Sequence, residues 1–130
     1  FEIIPGITAA SAAAACTKTV LADIGIASSV TFVAGQDLNG QTINIDFKSL
    51  VKLKGNLVFY MAVSRMSQIC KRLIDAGMAK TSKAVVAANT SLPNQKIVTG
   101  KLSNIANKCR KAMITPPAVL IITQTDSRAV

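Results

Sequence analysis

Short apolar runs alternate along the chain with segments of helical periodicity. Five runs predict β-strands, because they are rich in β-branched or large apolar residues and are bounded by turn residues. They cover residues 29–35, 56–61, 83–88, 96–99 and 118–123. The run NLVFYM at residues 56–61 is almost continuously apolar after Gly55, which is typical of a strand buried on both faces.

Four segments predict helices. Residues 8–21 are alanine-rich, follow the Pro5-Gly6 turn and begin with Thr8 as a candidate N-cap. Asp46 is a candidate cap for a short helix with an apolar stripe. Apolar residues recur with the helical period at residues 64–78 and 102–113. The first of these segments has Ser64 as a candidate cap and Gly77 near its end. The inward face predicted for the second comprises Leu102, Ile105, Ala106, Cys109 and Met113.

The order of these elements predicts an α/β fold. Helices alternate with strands, and the loop at residues 89–95 joins two strands that are expected to form a hairpin. The expected architecture is one domain, a three-layer αβα sandwich around a mixed, mostly parallel five-stranded sheet. Residues 124–130 carry no pattern and are predicted to be frayed.

Composition narrows the possible chemistry. The chain has no histidine, which excludes Ser-His-Asp and Cys-His catalysis within it and any histidine-ligated metal site. Its three cysteines are widely spaced, so no metal site is expected, and a reducing compartment, the cytoplasm, is favoured over a disulfide framework. No apolar run approaches the roughly 20 residues of a membrane span, so no membrane association is expected.

The chain is strongly basic, with a formal net charge of +9. Such a charge suggests an anionic partner, which could be a nucleic acid, an acidic surface or a polyanionic small molecule. A lysine-rich solvated surface explains it equally well. Aromatic residues are not interleaved with the basic ones, so a nucleic-acid partner is not expected.

Three segments lie where ligands bind open α/β sheets, beyond the carboxyl ends of strands. Residues 5–10 form a strand-to-helix turn whose backbone N–H groups could hold an anion, or which could simply cap a helix. Met61 could pack against an aromatic or sulfonium ligand, or could be a core methionine. Residues 89–95 could contact a ligand, or could be only a hairpin turn.

Taken together, these segments resemble a known family. The stretches FEIIPGITAASAAAA, ASSVTFVAGQD, NLVFYMAVSRMSQICKRLIDAGM and PPAVLII, with a loop closing on Pro93-Asn94-Gln95, occur in the order and spacing of the C-terminal half of the tetrapyrrole methylases. The resemblance covers residues 1–124 and is greatest to family members that C-methylate uroporphyrinogen III to precorrin-2.

The resemblance implies a methyltransferase of two α/β domains that holds S-adenosylmethionine in the cleft between them. The family's cofactor contacts fall on Thr8, Ala9, Met61, Thr90 and Ala118. The family's glycine-rich cofactor loop and its catalytic residues belong to the N-terminal half, which has no counterpart here. We therefore expect residues 1–130 to be the C-terminal domain of a longer enzyme, inactive alone, with a tetrapyrrole substrate and a homodimeric full-length form.

The sequence also departs from the family pattern. Gln36 follows Gly35 where the family usually has histidine, and Ala62 and Thr90 replace glycines. A side chain at such a position hinders close approach of a ligand to the backbone. Two alternatives therefore remain: a methyltransferase of the same family with a later precorrin or a non-tetrapyrrole substrate, and a non-catalytic domain that serves as an interaction surface.

Overall fold

The predicted strands form one sheet in the computed structural model of the protein, which describes residues 1–124. The strand order is β1-β2-β5-β3-β4. Their bounds are Val30–Ala34 for β1, Asn56–Tyr60 for β2, Lys83–Ala88 for β3, Lys96–Lys101 for β4 and Ala118–Thr123 for β5. The α/β class and the five strands are thus confirmed, whereas the predicted fraying beyond Gln124 falls outside the described residues.

The sheet is mixed, as predicted, but it is not mostly parallel in its pairing. Only β1 and β2 pair in parallel, while β5 is antiparallel to both β2 and β3, and β4 is antiparallel to β3. Alternation of helices and strands favours parallel neighbours, but here the last crossover passes beyond β3. It places β5 in the middle of the sheet, between two strands that run the other way.

Helices cover both faces of the sheet, which confirms the three-layer sandwich. Helix α1 (Ala9–Thr17) packs on one face through its alanines, against Val58, Ala87, Val119 and Ile121. Helices α2 (Phe47–Lys52), α3 (Met66–Asp75) and α4 (Ile105–Lys111) cover the other face. Successive residues of a strand point to opposite faces, so Leu57 and Phe59 belong to the second core while Val58 belongs to the first.

The helices are shorter than predicted: residues 8–21, 64–78 and 102–113 were expected to be helical, whereas α1, α3 and α4 span Ala9–Thr17, Met66–Asp75 and Ile105–Lys111. Helix α1 ends at Thr17, because Lys18 adopts a left-handed conformation (φ 52°) that closes the last turn. Ser64 does not cap α3, since its hydroxyl lies 3.1 Å from Gln36 Oε1 and residues Val63–Arg65 form a 3₁₀ turn instead. Met113 was predicted to point inward but is 75% exposed, because α4 ends at Lys111.

The segment before α1 is exposed, with Ile3, Ile4 and Ile7 open to solvent. The strand-to-helix turn predicted at residues 5–10 implies a strand before it, but residues 1–8 form neither a strand nor a helix. Among residues 1–124, no helix is both long and apolar enough to cross a membrane.

Candidate functional site

A cavity of about 410 Å³ lies at one end of the sheet, where β2 and β3 end and β5 and α1 begin. This is the carboxyl end of β1, β2 and β3, the edge where ligands bind α/β sheets. Its volume falls in the range of small-molecule sites, about 300–1,000 Å³. The lining residues are Ala9, Ala12, Tyr60, Met61, Val63, Ala87, Asn89, Thr90, Leu92, Pro116, Pro117, Ala118 and Val119.

The cavity exists because the side chains around it are short. Ala9 and Ala12 line it from α1, Ala87 from β3 and Ala118 from β5. A methyl group at each position leaves the space that a larger apolar side chain would fill. The alanine-rich composition of α1 therefore shapes the cavity as well as favouring the helix.

The strands that border the cavity end in unusual backbone conformations. Met61 follows β2 with φ 53°, and Asn89 follows β3 with φ 51°. Left-handed backbone is unfavourable for a residue such as methionine, and such strain is concentrated at binding sites. The sharp turn leaves the Met61 side chain at the cavity and 57% exposed.

Gly35 holds the Met61 turn in place. Its N–H donates to the Tyr60 carbonyl oxygen at 2.6 Å. A Cβ at this position would lie 2.8 Å from Ala62 Cα and 3.0 Å from the Met61 carbonyl oxygen. Only glycine lets the end of β1 approach the backbone at Met61 this closely.

A hydrogen bond between Thr8 and Tyr60 links the start of α1 to the end of β2. The Thr8 side chain is the N-cap of α1, accepting from the Ala10 N–H at 3.4 Å, and its hydroxyl also bonds to the Tyr60 hydroxyl. The Tyr60 ring lies beside Phe32, with 6.1 Å between ring centroids. The N-terminal end of α1, which carries partial positive charge, is thereby fixed at the cavity.

Four of the five residues predicted to contact a cofactor line this cavity: Ala9, Met61, Thr90 and Ala118. Thr8 lies next to it and is engaged by Tyr60. The structure thus brings together segments that are far apart in the sequence, whereas the contact of each residue with a cofactor stays a prediction.

Sequence reasoning missed several lining residues. The sequence predicts Tyr60 only as part of a buried strand and assigns no site role to Pro116 and Pro117, yet all three line the cavity. The only signal for Tyr60 was its position next to Met61. No carboxylate, amine or thiol belongs to the described lining, so these residues are suited to binding rather than to acid–base chemistry.

The two substitutions of family glycines have different consequences. The Ala62 side chain is buried in the core, 1% exposed, and does not enter the cavity. The Thr90 side chain is half-buried and lies in the lining. Thr90 is therefore the departure from the family pattern that affects the site.

Comparison with known proteins identifies a family. The family described as Tetrapyrrole (Corrin/Porphyrin) Methylases matches residues 1–106. Siroheme synthases from Pseudoalteromonas atlantica and Nitrosomonas eutropha are 36% and 32% identical over 122 residues, or 94% of this chain. The chain spans about a quarter of the length of these curated relatives, 26% and 25%.

Solved structures share the fold. Cobalt precorrin-4 methyltransferase superposes with a TM-score of 0.85 at 22% identity, over 94% of this chain and 51% of that one. Uroporphyrin-III C-methyltransferase from Thermus thermophilus, in complex with S-adenosylhomocysteine, superposes with a TM-score of 0.76 at 25% identity, over 95% of this chain and 52% of that one. Tetrapyrrole methylases use S-adenosylmethionine.

Proposed function

This chain belongs to the tetrapyrrole methylase family, and on that premise we propose that it is the C-terminal domain of an S-adenosylmethionine-dependent methyltransferase that converts uroporphyrinogen III to precorrin-2. The observation that carries the proposal is the convergence of Ala9, Met61, Thr90 and Ala118 on one cavity. The relatives named siroheme synthase and the solved uroporphyrin-III C-methyltransferase support the choice of substrate.

The lining suits the parts of the cofactor. Alanine and proline side chains offer an apolar surface to the adenosine, and Met61 offers a polarizable thioether. The N-terminal end of α1 favours a carboxylate such as that of the methionine moiety. Asn89 and Thr90 supply polar groups at the rim.

The chain would provide only part of the active site. It spans about half of each solved methyltransferase, and its described cavity lining carries no acid or base. We place the catalytic groups and the rest of the cofactor contacts in an N-terminal domain that packs over the exposed Ile7, Met61 and Leu92. The C-terminal domain alone should therefore be inactive and bind the cofactor weakly.

The proposed reaction would transfer one methyl group from each of two S-adenosylmethionine molecules to two ring carbons of the tetrapyrrole, and each transfer would release S-adenosylhomocysteine. The contribution of this chain would be alignment, since its residues hold the donor in one orientation. The substrate carries eight carboxylates, so the net charge of +9 supports electrostatic attraction of substrate to the protein. We further propose that the protein is cytoplasmic, in keeping with its three free cysteines. We also propose that the full-length protein is a homodimer, and its sedimentation as a monomer would contradict this.

Titration calorimetry of S-adenosylhomocysteine with the full-length protein tests the cofactor assignment. Met61→Ala should weaken binding by about 1–2 kcal/mol, because it removes a packed thioether. Met113→Ala is the matched control: Met113 is also exposed and left-handed, φ 51°, but lies outside the cavity lining. Thr90→Gly should leave binding unchanged or strengthen it.

Two other functions correspond to other outcomes of these measurements. Binding of the cofactor without methylation of uroporphyrinogen III would favour a family member with a later precorrin or a non-tetrapyrrole substrate. No heat with cofactor at millimolar concentration would favour a non-catalytic domain that acts as an interaction surface. The Thr90 side chain in the cavity lining is the observation that supports this last alternative.

A further inference from the structure

A groove runs between α3 and α4 on the face of the sheet opposite α1. It consists of two adjoining recesses of about 230 and 300 Å³, which share Ser67, Ala106 and Arg110. Buried thiols form part of its floor, Cys109 in the first recess and Cys70 in the second. We call this feature the α3–α4 groove.

The α3–α4 groove begins beside the cavity described above. Val63, in the turn after β2, lines both the cavity and the first recess of the groove. Val63 therefore lies between the cavity and the groove, just after the end of β2.

The groove has the side chains that bind anions. Arg110 lines both recesses, and hydroxyl groups come from Ser64 and Ser67. Lys71 also lines the groove, but its ammonium group is paired with Asp75 at 2.6 Å. Residues 76–124 contain seven lysines and arginines and no aspartate or glutamate, so the charged side chains of this stretch, which includes α4, are all positive.

Helix stability alone does not account for the position of Arg110. Lys108, Arg110 and Lys111 all lie in the last turn of α4, where cations are favoured by the helix dipole. Lys108 donates to the Thr99 carbonyl oxygen at 2.9 Å, and neither lysine lines the groove. Arg110 is the one of the three that faces it.

We infer that the α3–α4 groove binds carboxylate side chains of the tetrapyrrole substrate, with Arg110 as the principal contact. This inference rests on the proposed function, which supplies a ligand with several carboxylates attached to a large ring. A guanidinium can bind a carboxylate through two parallel hydrogen bonds, and the Ser67 hydroxyl can donate an additional one. Arg110 would then select for the carboxylate-bearing periphery of the substrate while the cavity holds the methyl donor.

The test uses the full-length protein and two probes, uroporphyrin III as a stable octacarboxylate and S-adenosylhomocysteine. Arg110→Ala should raise the Kd for uroporphyrin III about tenfold or more and leave the Kd for S-adenosylhomocysteine unchanged. Lys111→Ala is the matched control, because it removes the same charge from the adjacent residue, outside the groove. Arg110→Lys should restore only part of the affinity, since an ammonium group cannot form the paired contact.

Each result distinguishes the inference from the proposed function. Equal changes in the Kd for uroporphyrin III in Arg110→Ala and Lys111→Ala would contradict the proposed role of the groove. So would a wild-type protein that binds S-adenosylhomocysteine but not uroporphyrin III. Uroporphyrin III binding that depends on Arg110, without any binding of S-adenosylhomocysteine, would support the groove and reject the cofactor site. Unchanged thermal unfolding of Arg110→Ala would establish that the variant is folded.

Discussion

Gly35 shows how a single residue determines the geometry of the candidate site. It lies at the end of β1, where its N–H donates to the Tyr60 carbonyl oxygen and its backbone packs against Met61 and Ala62. Met61 is left-handed at the same point. The backbone turn that exposes the Met61 side chain therefore depends on the absence of a side chain one strand away.

Gly35→Ala should lower the free energy of unfolding by about 1–3 kcal/mol, because the added methyl group would collide with backbone atoms that cannot move aside easily. Gly6→Ala is the control, since a Cβ there meets nothing within 4 Å. Urea denaturation followed by circular dichroism measures both. Equal free energies of unfolding for the two variants would mean that the backbone at Met61 can shift to accommodate the added methyl group.

At the scale of elements, α1 combines a face that packs on the sheet with a face that lines the cavity. Ala10 and Ala13 are fully buried against the sheet, Ala12 lines the cavity, and Ala15 is exposed to solvent. Alanine is the best helix former, so one residue type serves all three environments. Only the positions on the helix distinguish their roles.

Ala12→Leu should abolish or strongly reduce S-adenosylhomocysteine binding to the full-length protein, because the larger side chain would fill part of a cavity of about 410 Å³. Ala15→Leu makes the same change on the exposed face of the same helix and should leave binding intact. Helix propensity is nearly equal for alanine and leucine, so both variants should fold. If calorimetric titration finds the same affinity for S-adenosylhomocysteine in both variants, the cavity is not the cofactor site.

Across the whole molecule, the three cysteines differ in their surroundings. Burial raises the pKa of the Cys70 thiol to about 12, with a further contribution from nearby Cys109, and burial raises the pKa of Cys109 to about 11. Both lie in the core between the sheet and α2–α4. Cys16 is half-buried on α1 and donates to the Ala12 carbonyl oxygen at 2.9 Å.

Alkylation of the native protein at pH 8 should therefore modify Cys16 first, while Cys70 and Cys109 react only after unfolding, because the thiolate is the reactive form and both are buried thiols. Mass spectrometry of peptides with and without urea gives the order. Equal native labelling of Cys16 and Cys70 would contradict the burial.

The pKa values of Cys70 and Cys109 are raised in the folded state, so the unfolded state loses these two protons at a lower pH than the folded state does. The free energy of unfolding should therefore fall as the pH rises above about 8.5.

The sequence by itself determined the elements and the likeness to a family. Apolar runs bounded by turn residues located all five strands, since burial of a strand requires a local pattern that can be read without the fold. The family resemblance at Thr8, Met61 and Thr90 predicts cofactor contacts there, and these contacts stay a prediction. Helix ends were less accurate, because Lys18 and Ser64 act through backbone conformation and distant partners.

The tertiary structure alone decided how these parts meet. The position of β5 between β2 and β3 depends on a crossover whose length is compatible with several sheet orders, so the pattern could not exclude a mostly parallel sheet. The hydrogen bond between Thr8 and Tyr60 joins residues about fifty positions apart. The cavity likewise gathers residues from distant parts of the chain, and the α3–α4 groove forms only where two helices pack side by side. Such contacts leave no periodicity in the sequence, because each side chain is constrained by the three-dimensional site rather than by its neighbours in the chain.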